Sequence, residues 1–136
     1  MNPLIVDTGF LVAFGRRSDP LHAPADAFLR DFAGRLLTVT PVIVETCFFL
    51  DPHSKVRLLD WVGSGAVAVM DAGVDAYPDL AKIIMRYANR DIDLADAALI
   101  WLADRTGIRS ILTVDNKDFE IYRLAGRRRF DIIAWM

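Results

Sequence analysis

The chain has 136 residues, 54% of them hydrophobic and 25% charged, with a formal net charge of -2. That length and composition describe one ordered domain with a buried core, and exclude a disordered or low-complexity chain. The near-neutral balance also excludes a global basic field of the kind that holds nucleic acid or an anionic membrane without specific contacts.

Leu4-Ile5-Val6 is apolar, largely β-branched and too short for a helix, so it predicts a buried strand that stops at Asp7, Thr8 and Gly9. The residues before it lack the basic flank and long apolar run of a signal peptide, and no run in the chain approaches bilayer length. A cytoplasmic location and no membrane partner are therefore expected. Thr8 suits the N-cap of a helix over Phe10, Leu11, Val12, Ala13 and Phe14. A polar loop rich in helix breakers leads to a helix over 22–32, with Ala25, Phe28, Leu29 and Phe32 on one face, and then to a strand over 36–39.

Thr40-Pro41 pairs a hydroxyl N-cap with proline at the first helical position, predicting a helix to residue 50. That helix is apolar nearly all round, so burial on most sides is expected, with Glu45 as its only charge. Cys47 within it is the chain's one cysteine. It excludes an internal disulfide or cysteine-rich zinc cage, fits a reducing cytosol, and reads as a small buried hydrophobe. A helix over 54–62 passes through Gly63-Ser64-Gly65 to a strand over 66–70, and a helix over 75–88 breaks at Asn89-Arg90-Asp91. Asp93 then caps a helix over 94–105 with Gly107 just past its end. A strand over 110–114 ends at Asp115, a short helix covers 118–124, and a last strand covers 131–135 after Arg127-Arg128-Arg129. Strands alternating with helices predict an α/β domain spanning 1–136, with a five-stranded parallel sheet between helical layers.

In such a sheet, ligands bind outside the carboxyl ends of the strands. Asp7 and Asp115 each follow an apolar strand and so stand at the same edge, although either alone could be no more than a helix cap. Asp96 lies in the first turn of its helix, where free amides and the helix dipole favour a carboxylate; a capping-box role with Asp93 is the alternative. Capping accounts less well for the gathering of Asp91, Asp93 and Asp96. Burying Glu45 unpaired among Val42, Ile43, Val44, Phe48 and Phe49 would cost on the order of several kcal/mol or force it to take a proton. Its helix supplies no lysine or arginine, so the charge either reaches solvent at the helix end or shares a cation with other acids. Carboxylates facing one cavity repel unless a cation neutralises them. An all-oxygen set points to Mg²⁺ or Mn²⁺ rather than zinc, ions that activate water and stabilise charge on a phosphodiester.

With Asp7, Glu45, Asp96 and Asp115 in that order, the chain resembles the PIN domains, and most closely the VapC-type toxin ribonucleases. The resemblance covers nearly the whole chain. It rests on Ile5-Val6-Asp7-Thr8, on Glu45 within an apolar helix, on Leu94-Ala95-Asp96-Ala97, and on Leu112-Thr113-Val114-Asp115-Asn116-Lys117-Asp118-Phe119. It implies a five-stranded parallel sheet flanked by helices on both faces. It also implies a Mg²⁺- or Mn²⁺-dependent endoribonuclease acting on single-stranded or structured RNA, the toxin of a type II toxin–antitoxin pair, with a cognate antitoxin and a homodimer. Carried over by position, Asp7, Glu45 and Asp96 match the core acids and Asp115 the fourth, more variable one. Thr8 and Thr113 match positions that hold a hydroxyl near the metal, and Asp118 matches an acid present in many members. Capping explains Asp93 better. No core acid is missing.

Arg16, Arg17 and Lys117 follow acid-bearing elements and are the candidates for contact with RNA backbone. Arg127-Arg128-Arg129 could hold phosphates, but a charge run in a turn is usually solvated. His22 and His53 read as helix-start residues, and Trp61, Trp101 and Trp135 as core. Phe10–Phe14 or Phe48–Leu50 could serve a protein partner if exposed. Transfer through an aspartyl-phosphate fits poorly, because Gly9 occupies the position where a second acid would be needed. The alternative to an enzyme is a non-catalytic RNA- or protein-binding module of the same fold; its mark would be a broken acid set, and this set is intact.

Overall fold

The computed structural model describes residues 2–136. Strand β1 (Leu4–Val6), wholly buried, pairs in parallel with β2 (Leu36–Val39) on one side and β4 (Ser110–Leu112) on the other. Strand β3 (Val67–Met70) lies outside β2 and β5 (Asp131–Ile132) outside β4, so the parallel sheet has the order β3-β2-β1-β4-β5. Ile5 stands between Leu37 and Ile111 at its centre. The chain steps from β1 to β3 in one direction, re-enters at β4 and steps to β5 in the other. Right-handed crossovers then put the helices that follow β1 and β2 on one face and those that follow β3 and β4 on the other. The reversal falls between β1 and β4, whose carboxyl ends flank the crevice where α/β sheets bind ligands.

The helices are α1 (Thr8–Gly15), α2 (His22–Asp31), α3 (Thr40–Phe48), α4 (Pro52–Trp61), α5 (Tyr77–Arg86), α6 (Leu94–Thr106) and α7 (Asn116–Ile121). Helix α1 packs on α2, α3 and α4, while α5 packs on α6, which lies against β2; α3 touches both α1 and α6 and bridges the two layers. The most deeply set is α6, with Ala97 through Ala103 all buried. Each fully buried leucine or isoleucine there contributes roughly 1.5–3 kcal/mol relative to exposure. Among the described residues, no helix is long and apolar enough to cross a membrane.

The alternation of strands and helices is as the sequence predicts, and so is α6: Asp93 Oδ1 accepts from the Asp96 amide at 2.8 Å, and Gly107 closes the helix in the left-handed region at φ 75°. The strands are shorter than predicted. Beyond β4 the carbonyl of Thr113 accepts from Trp135 Nε1 at 3.0 Å instead of from a neighbouring strand, and the indole packs edge-on against Phe10. That detour ends β5 at Ile132. Strand β3 begins one residue late because a wide helical turn over Val62–Ala66 precedes it. Helix α2 ends at Asp31, α4 begins at Pro52 with Asp51 as its cap, and α5 is bracketed by tight turns over Val74–Ala76 and Ala88–Arg90.

Three N-termini differ from expectation. Asp7 caps α1, the alternative role open to it from the sequence, and Thr8 is the first helical residue rather than the cap. Thr40 makes no capping bond, since Val39 occupies the cap position and Pro41 alone favours the helix start. Asp115 caps α7, which therefore begins two residues early. Helix α3 is also far less buried than its composition suggests. Only Val42 and Thr46 are buried, Cys47 is half-buried, and Val44, Phe48 and Phe49 are exposed.

Candidate active site

A cleft of about 470 Å³ opens at the carboxyl ends of β1 and β4, and Asp7, Glu45, Asp93, Asp96, Asp115 and Asp118 all line it. Three routes deliver them. Asp7 follows directly from β1 and Asp115 from β4, so the parallel sheet presents both at one edge. Asp96 projects from the first turn of α6, and Glu45 from the middle of the bridging helix α3.

Asp7 is the most enclosed, at 6% exposure. Its Oδ1 accepts from the Thr8 amide at 2.7 Å and its Oδ2 from Thr113 Oγ1 at 2.9 Å. The same Thr113 oxygen accepts from the Asp115 amide at 2.9 Å, so one buried hydroxyl ties the acid of β1 to the acid that follows β4. Burial pushes the Asp7 carboxyl up to about 6, against the two hydrogen bonds that hold it down; the charges of Glu45 and Asp93 add to the rise. Asp96 is pushed up to about 8, first by burial and then by the charge of Asp7, while the Tyr122 hydroxyl, donating to Oδ2 at 2.7 Å, opposes the shift. Burial and the bond to Asp96 in turn raise the Tyr122 phenol. Burial also raises Asp115, next to Asp118, whereas the Arg90 guanidinium at 2.8 Å lowers Asp118.

Apart from Asp118, which pairs with Arg90, the acids of this centre have no ion-pair partner among the described residues: desolvation and mutual repulsion favour protons on groups that a divalent cation would keep ionised. The donors are all oxygen, which suits a hard cation. Thr8 adds an independent sign. Its Oγ1 is buried without a hydrogen-bond partner among the described residues, and the residue lines the cleft. A buried hydroxyl without a partner costs about 1–3 kcal/mol, which an occupant of the cleft would relieve. As the side chains stand, no group of three among the described residues is arranged to hold a metal ion. Asp7, Asp96 and Asp115 each turn at least one oxygen toward a protein donor.

Of the residues predicted from the sequence, the fold brings Asp7, Thr8, Glu45, Asp96, Asp115, Asp118 and Arg16 together in the cleft, with Thr113 buried behind Asp7. Asp118 stands there bound to Arg90, and Asp93 stands there as the cap of α6. Arg17 is elsewhere, in a hollow with Phe14, Arg57 and Trp61. Lys117 is exposed and lies outside the cleft lining. Glu45 is half-buried rather than enclosed by its apolar neighbours, because the face of α3 carrying Val44 and Phe48 points to solvent. Phe10 is fully buried, which removes it as a surface for a partner and leaves Phe48 and Phe49, the latter on the cleft wall. Two polar contacts escaped the sequence reading. Tyr122 meets Asp96 across 26 residues and Arg90 meets Asp118 across 28, and no local pattern announces either. Asp19, read only as loop, also lines the cleft.

One further packing detail sets the shape of the cleft. A side chain at Gly9 would overlap that of Val114, so the first turn of α1 lies directly on the segment that carries Asp115.

The PIN domain family model matches residues 4–126. Ribonuclease VapC26 of Mycobacterium tuberculosis is 30% identical over 135 residues, covering 96% of this chain and 99% of that protein. The crystal structure of VapC20 from the same organism, a sarcin-ricin loop cleaving toxin, matches with a TM-score of 0.76 at 22% identity, over 84% of this chain and 91% of that one.

Proposed function

Because this chain belongs to the PIN-domain family, we propose that it is a metal-dependent endoribonuclease that acts as the toxin of a type II toxin–antitoxin pair. The observation that carries the reading is the meeting of Asp7, Glu45, Asp96 and Asp115 in one cleft at the reversal point of the sheet. Those four would hold Mg²⁺ or Mn²⁺, and the bound ion supplies an activated water and stabilisation of charge on the scissile phosphate.

The chain's own groups prepare that centre. The Thr8 amide and the Thr113 hydroxyl hold both oxygens of Asp7, and Tyr122 orients Asp96. The Thr8 hydroxyl is available to whatever enters the cleft. Arg16 stands on the cleft wall, where a guanidinium can take a substrate phosphate. An antitoxin protein and a second copy of the chain complete the proposed assembly in the cytoplasm. The kinship with ribonuclease VapC26 supports a toxin role, and the exposed Val44, Phe48 and Phe49 beside the acids supply apolar surface for a protein partner.

The test is cleavage of a total RNA pool with Mn²⁺, with Mn²⁺ plus EDTA, and by Asp7→Asn. Chelation should abolish cleavage, and Asp7→Asn should reduce it by about 10²–10³-fold or more while the variant stays folded. Cleavage that survives both treatments would remove the proposal.

A further inference from the structure

We propose that Lys82, Arg86 and Arg127 form a basic track that takes the phosphate backbone of RNA as it leaves the acidic cleft past Arg90. The identity of the polyanion rests on the ribonuclease reading above; the existence of the track rests on the geometry that follows.

The sequence has 16 lysines and arginines. Among the described residues only two ion pairs form, Arg30 with Asp26 and Arg90 with Asp118. Lys82, Arg86 and Arg127 make neither an ion pair nor a side-chain hydrogen bond among the described residues. They converge on two hollows, one of about 310 Å³ on the outer side of α5 and α6 and one of about 670 Å³ between the end of α5 and the turn after α7. Arg86 and Asp104 line both, so the hollows adjoin.

The other charges there are already committed. Arg105 lies over the Trp101 ring at 5.7 Å, and Arg123 donates to the carbonyls of Glu120 and Ile121 at the end of α7. Asp104 accepts from the Ala125 amide at 2.7 Å and keeps its charge, so Asp79 and Asp104 are the two acids set against five cationic side chains in the two linings. In a chain of net charge -2 this is a local excess of uncommitted cations.

The excess connects to the cleft. Lys82 and Arg86 are one helical turn apart on α5, which ends at Arg86, and Arg90 follows at the end of the tight turn Ala88–Arg90. Arg90 holds Asp118 on the cleft wall at 2.8 Å, so the segment that leaves α5 carries its next cation to the acids. Across the larger hollow, Arg127 is held in the left-handed region at φ 61°, a conformation that costs a non-glycine residue about 1–2 kcal/mol. The acids of the cleft repel a polyanion everywhere except at a bound cation, so backbone on either side of the scissile phosphate needs positive side chains close by. Guanidinium groups take phosphate oxygens in pairs. Each hollow is lined by three cationic side chains, Lys82, Arg86 and Arg105 in the smaller and Arg86, Arg123 and Arg127 in the larger, which suits contact with backbone.

The test uses the full chain carrying Asp7→Asn, so that substrate is bound and not cut. Binding of a fluorescent single-stranded RNA of about 16 nucleotides is followed by anisotropy across a salt series. In that background the triple variant Lys82→Ala, Arg86→Ala, Arg127→Ala should bind about tenfold or more weakly, and the slope of log K against log salt should fall by about 2, at about 0.7 for each lost phosphate contact. A control with Arg30→Ala, Arg35→Ala and Lys55→Ala removes the same charge elsewhere and should leave the slope within about 0.5 of the parent. An unchanged slope in the first triple variant, an equal loss in the control, or no RNA binding by the parent overturns the track. The ribonuclease reading fails on a separate result, cleavage by the unmutated chain that is indifferent to EDTA and to Asp7.

Discussion

Two stretches of this chain look alike as text and behave differently as structure. Leu4–Asp7 and Val42–Phe49 are both apolar runs carrying a single acid. In the first, every apolar side chain is buried and Asp7 has two hydrogen-bonded oxygens. In the second, Val44, Phe48 and Phe49 are exposed and Glu45 is half-buried without an ion-pair partner among the described residues. The difference lies in what surrounds each backbone. A central strand of a doubly covered sheet has no side that faces water, whereas a helix bridging two layers keeps one flank outside. Apolar composition in the strand therefore serves the core, and in α3 it leaves a surface patch beside the acids.

That contrast can be broken by substitution. Ile5 is fully buried, and Ile5→Ala should destabilise by about 2–5 kcal/mol in urea denaturation, from lost burial plus a cavity at the centre of the sheet. A cost near zero would mean that β1 is not the core of the fold.

Asp7→Asn should act in the opposite direction. The folded Asp7 carboxyl lies near 6 against an ordinary value of 3.8, so the folded chain keeps a proton that the unfolded chain releases. Stability from this group is complete below about 4, is lost as pH rises to about 6, and Asp96 extends the loss toward pH 8. Metal-free Asp7→Asn should thus gain up to about 3 kcal/mol over the parent at pH 8 and nothing at pH 4. Melting curves in EDTA at the two pH values read the sign directly.

Mn²⁺ at a hundredfold excess over its Kd should add about 2.7 kcal/mol to the parent. Glu45→Gln should shrink that gain while leaving the metal-free stability within about 0.5 kcal/mol, as expected of a half-exposed side chain. A large metal-free loss would instead make Glu45 a structural residue of α3. The smallest effect belongs to Phe48, which is 78% exposed: Phe48→Ala should change stability by no more than about 0.5 kcal/mol. A cost like that of Ile5→Ala would mean that the patch is covered even in the isolated chain.

What the residues announced in advance was local. Asp93 and Gly107 delimit α6 because a cap and a left-handed terminator act within one turn. Asp7 and Asp115 were visible because a carboxylate that ends an apolar strand has a defined place in a parallel sheet. The assignment of the α1 cap went to the wrong neighbour because Asp7 and Thr8 are adjacent and both suited to the role. The exposure of α3 was hidden because a helix apolar on all sides shows no periodicity from which to choose a face. Tyr122 and Arg90 could not be found at all, since each reaches its acid through tertiary packing alone. The early end of β5 has the same origin, a bond from Trp135 to Thr113 across 22 residues.

Gly9 carries a consequence for how such a cleft changes over time. The acids of β1 and β4 come from distant parts of the chain, and the clearance between their segments is fixed where the first turn of α1 rests on Val114. The gauge of the acid-lined cleft is thus set at a missing methyl group rather than at any of the acids. Substitution to alanine would press on the exposed Val114 side chain, and either that side chain or the segment that carries Asp115 would have to shift. Divergence at positions 9 and 114 is therefore a route to a different packing of that segment that a comparison of acids alone would never register.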